Sequence, residues 1–194
     1  MTNRTLLIVG AGGHGKAVAE AVLLDGQWRR IVFIDDRWPE LQQCAGWPVV
    51  AKVSGLAEIA SNVQGAIAAI GNNAMREQCL EAIISARIPL VSVIHPTAFV
   101  SPSARIGAGT AVMAMAMIGT DAVIGMAAIV NANATVDHDA SLDDFAHLGV
   151  GVHLAGGVRI KTRAWLEAGC SAGYGVVVRE NAVLGPGTVL VAGK

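Results

Sequence analysis

The amino-acid sequence predicts two architectures in one chain, an α/β domain followed by an all-β solenoid. A glycine-rich turn lies between the first apolar strand and the first helix, which is typical of nucleotide-binding α/β domains. From about residue 98 onward, apolar residues recur with a period of six, which indicates a parallel β-helix. The composition suits a narrow core of small and aliphatic side chains, because 53% of the residues are hydrophobic and only 4% are aromatic.

The first half of the α/β domain has the layout of a βαβ nucleotide-binding unit. A predicted strand at Thr5–Val9 runs into Gly10–Gly15, which matches G-x-G-x-x-G, and a predicted helix follows over Lys16–Leu24. The next strand, Ile31–Ile34, ends at Asp35–Asp36. Glycines let the backbone approach a phosphate, the helix N-terminus offers free N–H groups, and a following acidic residue can accept hydrogen bonds from a ribose or a base. The arrangement therefore predicts a nucleotide site.

The rest of the domain continues this alternation of strands and helices. Short strands are predicted at Trp47–Val50, Ala66–Ile70 and Leu90–Ile94, with helices after Ser54 and after Asn73. The pattern predicts a small, doubly wound, Rossmann-like parallel sheet.

The domain boundary is predicted at His95-Pro96, which divides the chain into residues 1–94 and 95–194. The first domain is smaller than the ~130 residues of a complete dinucleotide-binding layout. A nucleoside diphosphate attached to another group is therefore favoured as its ligand, and a nicotinamide-binding protein is the alternative.

The second domain carries a hexapeptide repeat. Every sixth residue from Val100 to Leu190 is Val, Ile or Leu, with Ala172 as the exception. The residues two places earlier, from Ala98 to Thr188, are all small or β-branched. This pattern predicts a three-sided coil of eighteen residues whose aliphatic side chains point inward and stack on the next coil.

One polar group stands out from the repeat as a candidate general base. His138 lies two residues after an inward position, near a predicted corner, between Asp137 and Asp139. A histidine is partly neutral at pH 7, and a neighbouring carboxylate can fix its tautomer and raise its basicity. Gly156 follows eighteen residues later and is expected one coil above, where its N–H could bind an oxyanion. A solvated polar corner is the alternative interpretation.

Two further histidines, His147 and His153, occupy the same phase on successive faces. Their side chains should point in directions roughly 120° apart, which argues against one metal site within a subunit. A metal-dependent hydratase that uses both together with His138 is the alternative, and we expect no metal.

Charge and cysteine content restrict the remaining classes. The net charge of -1 gives no support for binding to nucleic acid or an anionic membrane. No apolar run approaches the roughly 18 residues of a membrane span, and no signal peptide is recognisable at the N-terminus. The three cysteines are widely spaced, which is typical of a reducing cytoplasm.

Three segments resemble one family, the bacterial sugar acyltransferases that join a small Rossmann-like domain to a left-handed parallel β-helix of hexapeptide repeats. They are Gly10–Lys16, Ile70–Asn73 and Asn133–Asp139 with its continuation to His147. The family includes sialic-acid O-acetyltransferases and UDP-N-acetylbacillosamine N-acetyltransferases, and the chain looks most like the second group. The resemblance implies acetyl-CoA as co-substrate and a homotrimer with active sites between adjacent β-helices.

The resemblance also implies roles for individual residues. His138 corresponds to the catalytic base, Asp139 to the acidic neighbour and Gly156 to the oxyanion donor. The residues expected at the nucleotide-sugar site are Gly12, Gly13, His14, Asp35, Asp36, Asn72 and Asn73. The residues expected along acetyl-CoA are His147, Ala168, Gly185, Pro186 and Gly187. Related chains commonly run beyond the segment Val191–Lys194 with which this sequence ends, and this departure from the family concerns the last coenzyme contacts.

Together these features predict acetyl transfer from acetyl-CoA to the 4-amino group of a UDP-linked amino sugar. The amine is expected to attack directly, with His138 as base and without an acyl-enzyme. O-acetylation of a sugar hydroxyl, as in sialic acid, is the near alternative. A metal-dependent hydratase and a nicotinamide-binding protein are less favoured.

Overall fold

The computed structural model of the chain describes residues 4–192. Its N-terminal part is a five-stranded sheet in the order β3-β4-β2-β1-β5. The strands are β1 (Thr5–Val9), β2 (Arg30–Ile34), β3 (Gln43–Cys44), β4 (Trp47–Ala51) and β5 (Gly65–Ala68), and the helices are α1 (Gly13–Asp25), α2 (Leu56–Ile59) and α3 (Asn73–Ser85), with 3-10 turns at Val53–Gly55 and Ala60–Asn62. The predicted Rossmann-like sheet is confirmed, and an antiparallel hairpin of β3 and β4 at its edge is an addition that the sequence did not indicate.

Strand β1 is the centre of this sheet. It pairs in parallel with both β2 and β5, and all of its residues are buried. Leu6 and Ile8 pack in the same cluster as α1, whereas Leu7 and Val9 pack with α3 on the opposite side. A continuous apolar run is what a central parallel strand requires, because helices cover both of its faces.

The C-terminal part is a left-handed β-helix with three parallel sheets. The strands are Val93–Ile94 (β6), Phe99–Val100 (β7), Arg105–Ile106 (β8), Ala111–Val112 (β9), Met117–Ile118 (β10), Val123–Ile124 (β11), Ile129–Val130 (β12), Thr135–Val136 (β13), Ser141–Leu142 (β14), His147–Leu148 (β15), His153–Leu154 (β16), Arg159–Ile160 (β17), Trp165–Leu166 (β18), Ser171–Ala172 (β19), Val177–Val178 (β20), Val183–Leu184 (β21) and Val189–Leu190 (β22). We call the three sheets face one (β7, β10, β13, β16, β19, β22), face two (β8, β11, β14, β17, β20) and face three (β6, β9, β12, β15, β18, β21).

The register of the solenoid agrees with the six-residue period. Thr135 pairs with His153, and His147 pairs with Trp165. Each strand residue therefore pairs with the residue eighteen positions later, in the next coil. The inward aliphatic and small residues from Val112 to Val178 form one buried cluster. Equivalent residues in the first and last coils, such as Val100 and Leu190, are only partly buried because they have a neighbouring coil on one side.

The segment expected to close the N-terminal sheet is arranged differently. Leu90 makes a single isolated bridge to Ala66, and Val93–Ile94 pairs instead with Ala111–Val112 of the solenoid. The prediction of a fifth parallel strand over Leu90–Ile94 was therefore wrong. The apolar run at Leu90–Ile94 is so short that its sequence pattern does not distinguish a strand of the N-terminal sheet from the first strand of a β-helix.

The N-terminal sheet and its helices contact one side of the solenoid. Leu80 of α3 packs against Ala127 and Phe145 at the corner between faces two and three. Ala111 and Met113, on face three and the turn after it, pack in the same cluster as α1. These contacts bring the glycine-rich turn to face three.

Candidate active site

His138 lies in the turn between faces one and two. Its backbone N–H donates to Asp137 Oδ1 at 2.7 Å, and its Nδ1 is 2.7 Å from Asp139 Oδ2. Because a carboxylate accepts, Nδ1 carries the proton in the neutral ring and Nε2 remains as the basic nitrogen. The hydrogen bond to Asp139, followed by the charge of Asp137, raises the pKa of His138 above its ordinary value. The predicted base and carboxylate are thus brought together.

Gly156 lies directly against the His138 ring, one coil above. A Cβ atom at Gly156 would be 2.5 Å from both Cε1 and Nε2 of His138, so only glycine leaves room for the ring. Within residues 4–192 the Gly156 N–H has no hydrogen-bond partner, whereas the next N–H, of Gly157, donates to the His138 carbonyl at 3.0 Å. A free N–H beside a basic nitrogen is the arrangement that an oxyanion site needs.

Tyr174 completes this column and was not recognised in the sequence. It lies thirty-six residues after His138, two coils higher, and the two ring centroids are 6.4 Å apart with a tilt of 46°. That separation is within the range of interacting aromatic pairs. The eighteen-residue register could have identified Tyr174, because it places this ring in the same column as His138 and Gly156.

The glycine-rich turn borders a cleft of about 230 Å³. Gly12 caps α1 without any side-chain hydrogen bond, and a Cβ at Gly12 or Gly13 would meet no atom within 4 Å. Gly15 faces the carbonyl of Gly10 so closely that a side chain there would collide with the backbone. The lining residues are Gly10, Gly12, Gly13, His14, Asp35, Arg37, Ala69, Ile70, Gly71 and Met75.

Both predicted acidic residues are engaged with the protein itself. Asp35 accepts hydrogen bonds from the Ala11 N–H at 2.8 Å and from Arg37 Nε at 2.7 Å and Nη2 at 2.9 Å. The hydrogen bond with Arg37 is the main reason that the pKa of Asp35 falls to about 2. Asp36 accepts from the Val53 N–H at 3.0 Å. Arg37 was not predicted from the sequence, because the glycine-rich motif does not specify a residue at this position.

Asn72 and Asn73 lie at the start of α3 beside the cleft. The Asn72 side chain caps the helix by accepting from the Met75 N–H at 3.0 Å. Asn73 Nδ2 donates to the Arg163 carbonyl at 2.9 Å, and its Oδ1 accepts from Arg76 Nη2 at 2.8 Å. These contacts hold the loop that carries Gly71, and direct contact of either asparagine with a ligand stays a prediction.

His147 connects the solenoid to the cleft. Its Nδ1 is 3.0 Å from the Gly71 carbonyl, and its ring stacks on Trp165 at 5.1 Å with an angle of 3°. Burial, and then the charge of Arg76, lower the pKa of His147 to about 3, so the ring is neutral. Nδ1 therefore donates to Gly71, and Nε2 is left as an acceptor.

His14 adds a second neutral imidazole at this position. Burial, and then the charge of Arg76, lower its pKa to about 4. Its Nε2 is buried and has no hydrogen-bond partner within the described residues. An unpartnered buried nitrogen beside a cleft is suited to a ligand contact.

The predicted coenzyme residues are not all brought together: His147 lies on face three beside the cleft, whereas Ala168 and the segment 185–187 share one corner of the upper coils. Ala168 and Pro186 are eighteen residues apart in the turns between faces three and one, and the Gly187 N–H donates to the Ala168 carbonyl at 2.9 Å. Ala168 and the segment 185–187 are exposed. They form a continuous edge, and their contact with acetyl-CoA stays a prediction. Of the C-terminal segment Val191–Lys194, the last two positions lie outside the described residues.

The three histidines of the metal alternative are dispersed. His138 lies at the corner between faces one and two, His147 on face three and His153 on face one. Within residues 4–192 no group of three or more His, Cys, Asp or Glu side chains is arranged to hold a metal ion. Among the same residues, no helix has the length and apolarity needed to cross a bilayer.

The His138–Asp139 pair makes a specific prediction for the pH dependence of the reaction. A general base works unprotonated, so its raised pKa places the acid limb of the kcat/KM profile above the ordinary value for histidine. Asp139→Asn should shift this limb to lower pH and, because a less basic nitrogen accepts protons less readily, lower the plateau about several-fold. Asp137→Asn should shift the limb in the same direction by less. An unchanged profile in Asp139→Asn would show that His138 is not the titrating base.

Comparison with known proteins finds that the chain is similar to proteins named as sugar N-acetyltransferases. Residues 5–83 match the family described as the PglD N-terminal domain. A UDP-N-acetylbacillosamine N-acetyltransferase of Bacillus subtilis (strain 168) is 33% identical over 104 residues, which cover 52% of this chain and 47% of that protein. The match thus spans about half the length of this curated relative.

Two solved structures match almost the whole chain. PerB from Caulobacter crescentus, in complex with CoA and GDP-perosamine, is 36% identical and has a TM-score of 0.89, with 97% of this chain and 89% of that chain covered. The acetyltransferase domain of PglB from Neisseria gonorrhoeae FA1090, in complex with acetyl coenzyme A, is 36% identical with a TM-score of 0.78, and 98% and 97% of the two chains are covered.

Proposed function

The chain belongs to the bacterial sugar acyltransferases that join a Rossmann-like domain to a left-handed β-helix, and we propose that it transfers acetyl from acetyl-CoA to the amine of a nucleotide-linked amino sugar. The observation that carries the proposal is the His138–Asp139 pair, whose ring lies against Gly156, a residue whose N–H has no hydrogen-bond partner within residues 4–192. The relatives support an amine as acceptor, because the curated one is an N-acetyltransferase and PerB was solved with GDP-perosamine. We propose the 4-amino group of a UDP-linked sugar, with GDP as the competing nucleotide.

The reaction follows from these positions without a covalent enzyme intermediate. The amine attacks the thioester carbonyl while His138 Nε2 takes its proton, and the Gly156 N–H stabilises the oxyanion. The C–S bond then breaks, and the thiolate of CoA recovers the proton from His138. No cysteine is suited to carry the acetyl group, because Cys44, Cys79 and Cys170 are all buried. Burial also raises the pKa of Cys79 to about 11.

We propose that the complete site forms between subunits of a homotrimer. His138 is at the corner between faces one and two. In the three-sided solenoid this corner lies opposite face three. The nucleotide cleft reaches the solenoid at His147, on face three. The base and the cleft of one chain are therefore on different sides of its solenoid. This separation supports a site that combines the cleft of one chain with the base of a neighbour. Exposed Phe99, Val177 and Val189 supply apolar outward surface for subunit contacts.

Mixing two inactive variants tests this arrangement. His138→Ala removes the base, and Gly13→Trp fills the cleft from a position with open space around it. In randomly assembled trimers, about a quarter of the sites should combine an intact base with an intact cleft from two chains. Co-expressed variants should therefore recover about a quarter of wild-type activity, measured against each variant alone. A site within one chain would give no recovery, because every site would contain one defect.

The substrate is identified by a panel of UDP-, GDP-, TDP- and CMP-linked amino sugars with acetyl-CoA, followed by release of free thiol. We expect release with one nucleotide-linked amino sugar and none with the free sugar. Absence of release across the panel would contradict the proposed function. The cytoplasm is the proposed location, because the three cysteines are free.

A further inference from the structure

Arg37 occupies a position in the cleft that the glycine-rich motif does not explain. Its Nε and Nη2 donate to Asp35, and Nη2 also donates to the Ala11 carbonyl at 3.0 Å. Within residues 4–192, Nη1 makes no hydrogen bond, and the side chain is 59% exposed. The guanidinium is thus held on one side and open on the other.

The charges around the cleft make Arg37 distinctive. Among the described lining residues it is the only lysine or arginine. His14 cannot add a positive charge, because burial lowers its pKa to about 4. The Asp35 carboxylate already accepts from Ala11 and Arg37, so it has little capacity left for a ribose hydroxyl.

The adjacent backbone offers donors of the same kind. Gly12 and Gly13 are exposed at the start of α1, whose first turn contains no acidic residue and no side-chain cap. The buried, unpartnered Nε2 of His14 is a second and independent sign that this cleft receives a polar ligand. An anion beside Gly12 and Gly13 would meet free N–H groups, and Arg37 supplies the fixed charge.

We infer that Arg37 binds the diphosphate of the sugar nucleotide, through Nη1 and in concert with the N-terminus of α1. Asp35 then acts as a positioning residue that holds the guanidinium toward the cleft. Because hydrogen bonds to Asp35 and Ala11 already fix the forked guanidinium group of Arg37, this side chain loses little conformational freedom when the phosphate binds. The inference rests on the proposed function for the identity of the ligand.

The experiment measures binding of nucleotides to the full chain by calorimetry, without acetyl-CoA. Wild type and Arg37→Gln are titrated with UDP and uridine, and with GDP and guanosine. The variant should bind the preferred diphosphate on the order of 10- to 100-fold more weakly, with the affinity for the nucleoside unchanged. Arg37→Lys should recover part of the loss, because it keeps the charge without the fork. Arg29→Ala, an exposed arginine outside the cleft, should bind like wild type.

Salt provides a readout that depends only on the diphosphate. Raising the salt from about 0.05 M to about 0.5 M should weaken binding of the diphosphate to wild type more than to Arg37→Gln. Equal losses for diphosphate and nucleoside in Arg37→Gln, or an unchanged salt effect, would overturn the inference and leave Arg37 as a support for the Asp35 loop. If no amino sugar is acetylated while these binding results hold, the proposed function fails and the assignment of Arg37 stands.

Discussion

Replacing His138 by alanine is expected to lower kcat/KM for acetyl transfer on the order of 100-fold. General-base catalysis contributes roughly 10²- to 10⁴-fold, and the lower end is expected because the His138 side chain is 49% exposed. The acid limb of the pH profile should disappear in the same variant, since it reports the titration of this ring. Both quantities follow from steady-state rates at saturating acetyl-CoA, with thiol release as the signal.

His153→Ala is the matched control for this result. His153 is an exposed histidine of the same solenoid whose Nδ1 lies 3.2 Å from Thr135 Oγ1, and it has no place in the proposed reaction. Its replacement should leave kcat/KM and the pH profile as in wild type. A His138→Ala variant with wild-type turnover would remove the base from the mechanism, and an equal loss in His153→Ala would revive the three-histidine alternative.

Replacing Arg76 by methionine is expected to destabilise the protein by about 3 kcal/mol, because it leaves several buried acceptors without a donor. Only 1% of the surface of Arg76 is exposed. Its guanidinium joins the two parts of the chain by donating to Ala127 O at 2.8 Å and Phe145 O at 2.6 Å in the solenoid and to Ile70 O at 2.8 Å beside the cleft. Methionine keeps an unbranched apolar side chain but has no donor.

The measurement is chemical unfolding at one fixed protein concentration, because subunit association contributes to the observed stability. Arg179→Met, an exposed arginine of the upper coils, should change the free energy of unfolding by less than about 0.5 kcal/mol. A loss below about 1 kcal/mol in Arg76→Met would mean that water replaces the guanidinium at these carbonyls. It would also mean that Arg76 does not hold the two parts together.

The solenoid could be predicted from the sequence because its contacts are local and periodic. Each residue stacks on the one eighteen positions later, so the place of Gly156 above His138 follows from counting alone. The nucleotide turn was predictable for a similar reason, since Gly10 and Gly15 meet stereochemical demands within one strand-turn-helix unit.

The contacts between the two parts of the chain could not be predicted in this way. Arg76 reaches carbonyls that are distant in sequence and follow no repeat, and Arg37 turns back to Asp35 through a loop without a motif. The short apolar run at Val93–Ile94 could belong to the N-terminal sheet or to the solenoid. Its assignment depends on which distant strand it pairs with. Such side-chain and strand pairings depend on tertiary packing and leave no local signal.

The central claim is that a nucleotide-linked amine accepts the acetyl group. It is tested most directly by comparing the best acceptor of the panel with the same compound already acetylated on that amine. With acetyl-CoA saturating, we predict thiol release and one added acetyl group on nitrogen for the free amine, and neither for the blocked compound. Equal thiol release from both compounds, with the acetyl group on oxygen, would contradict the account.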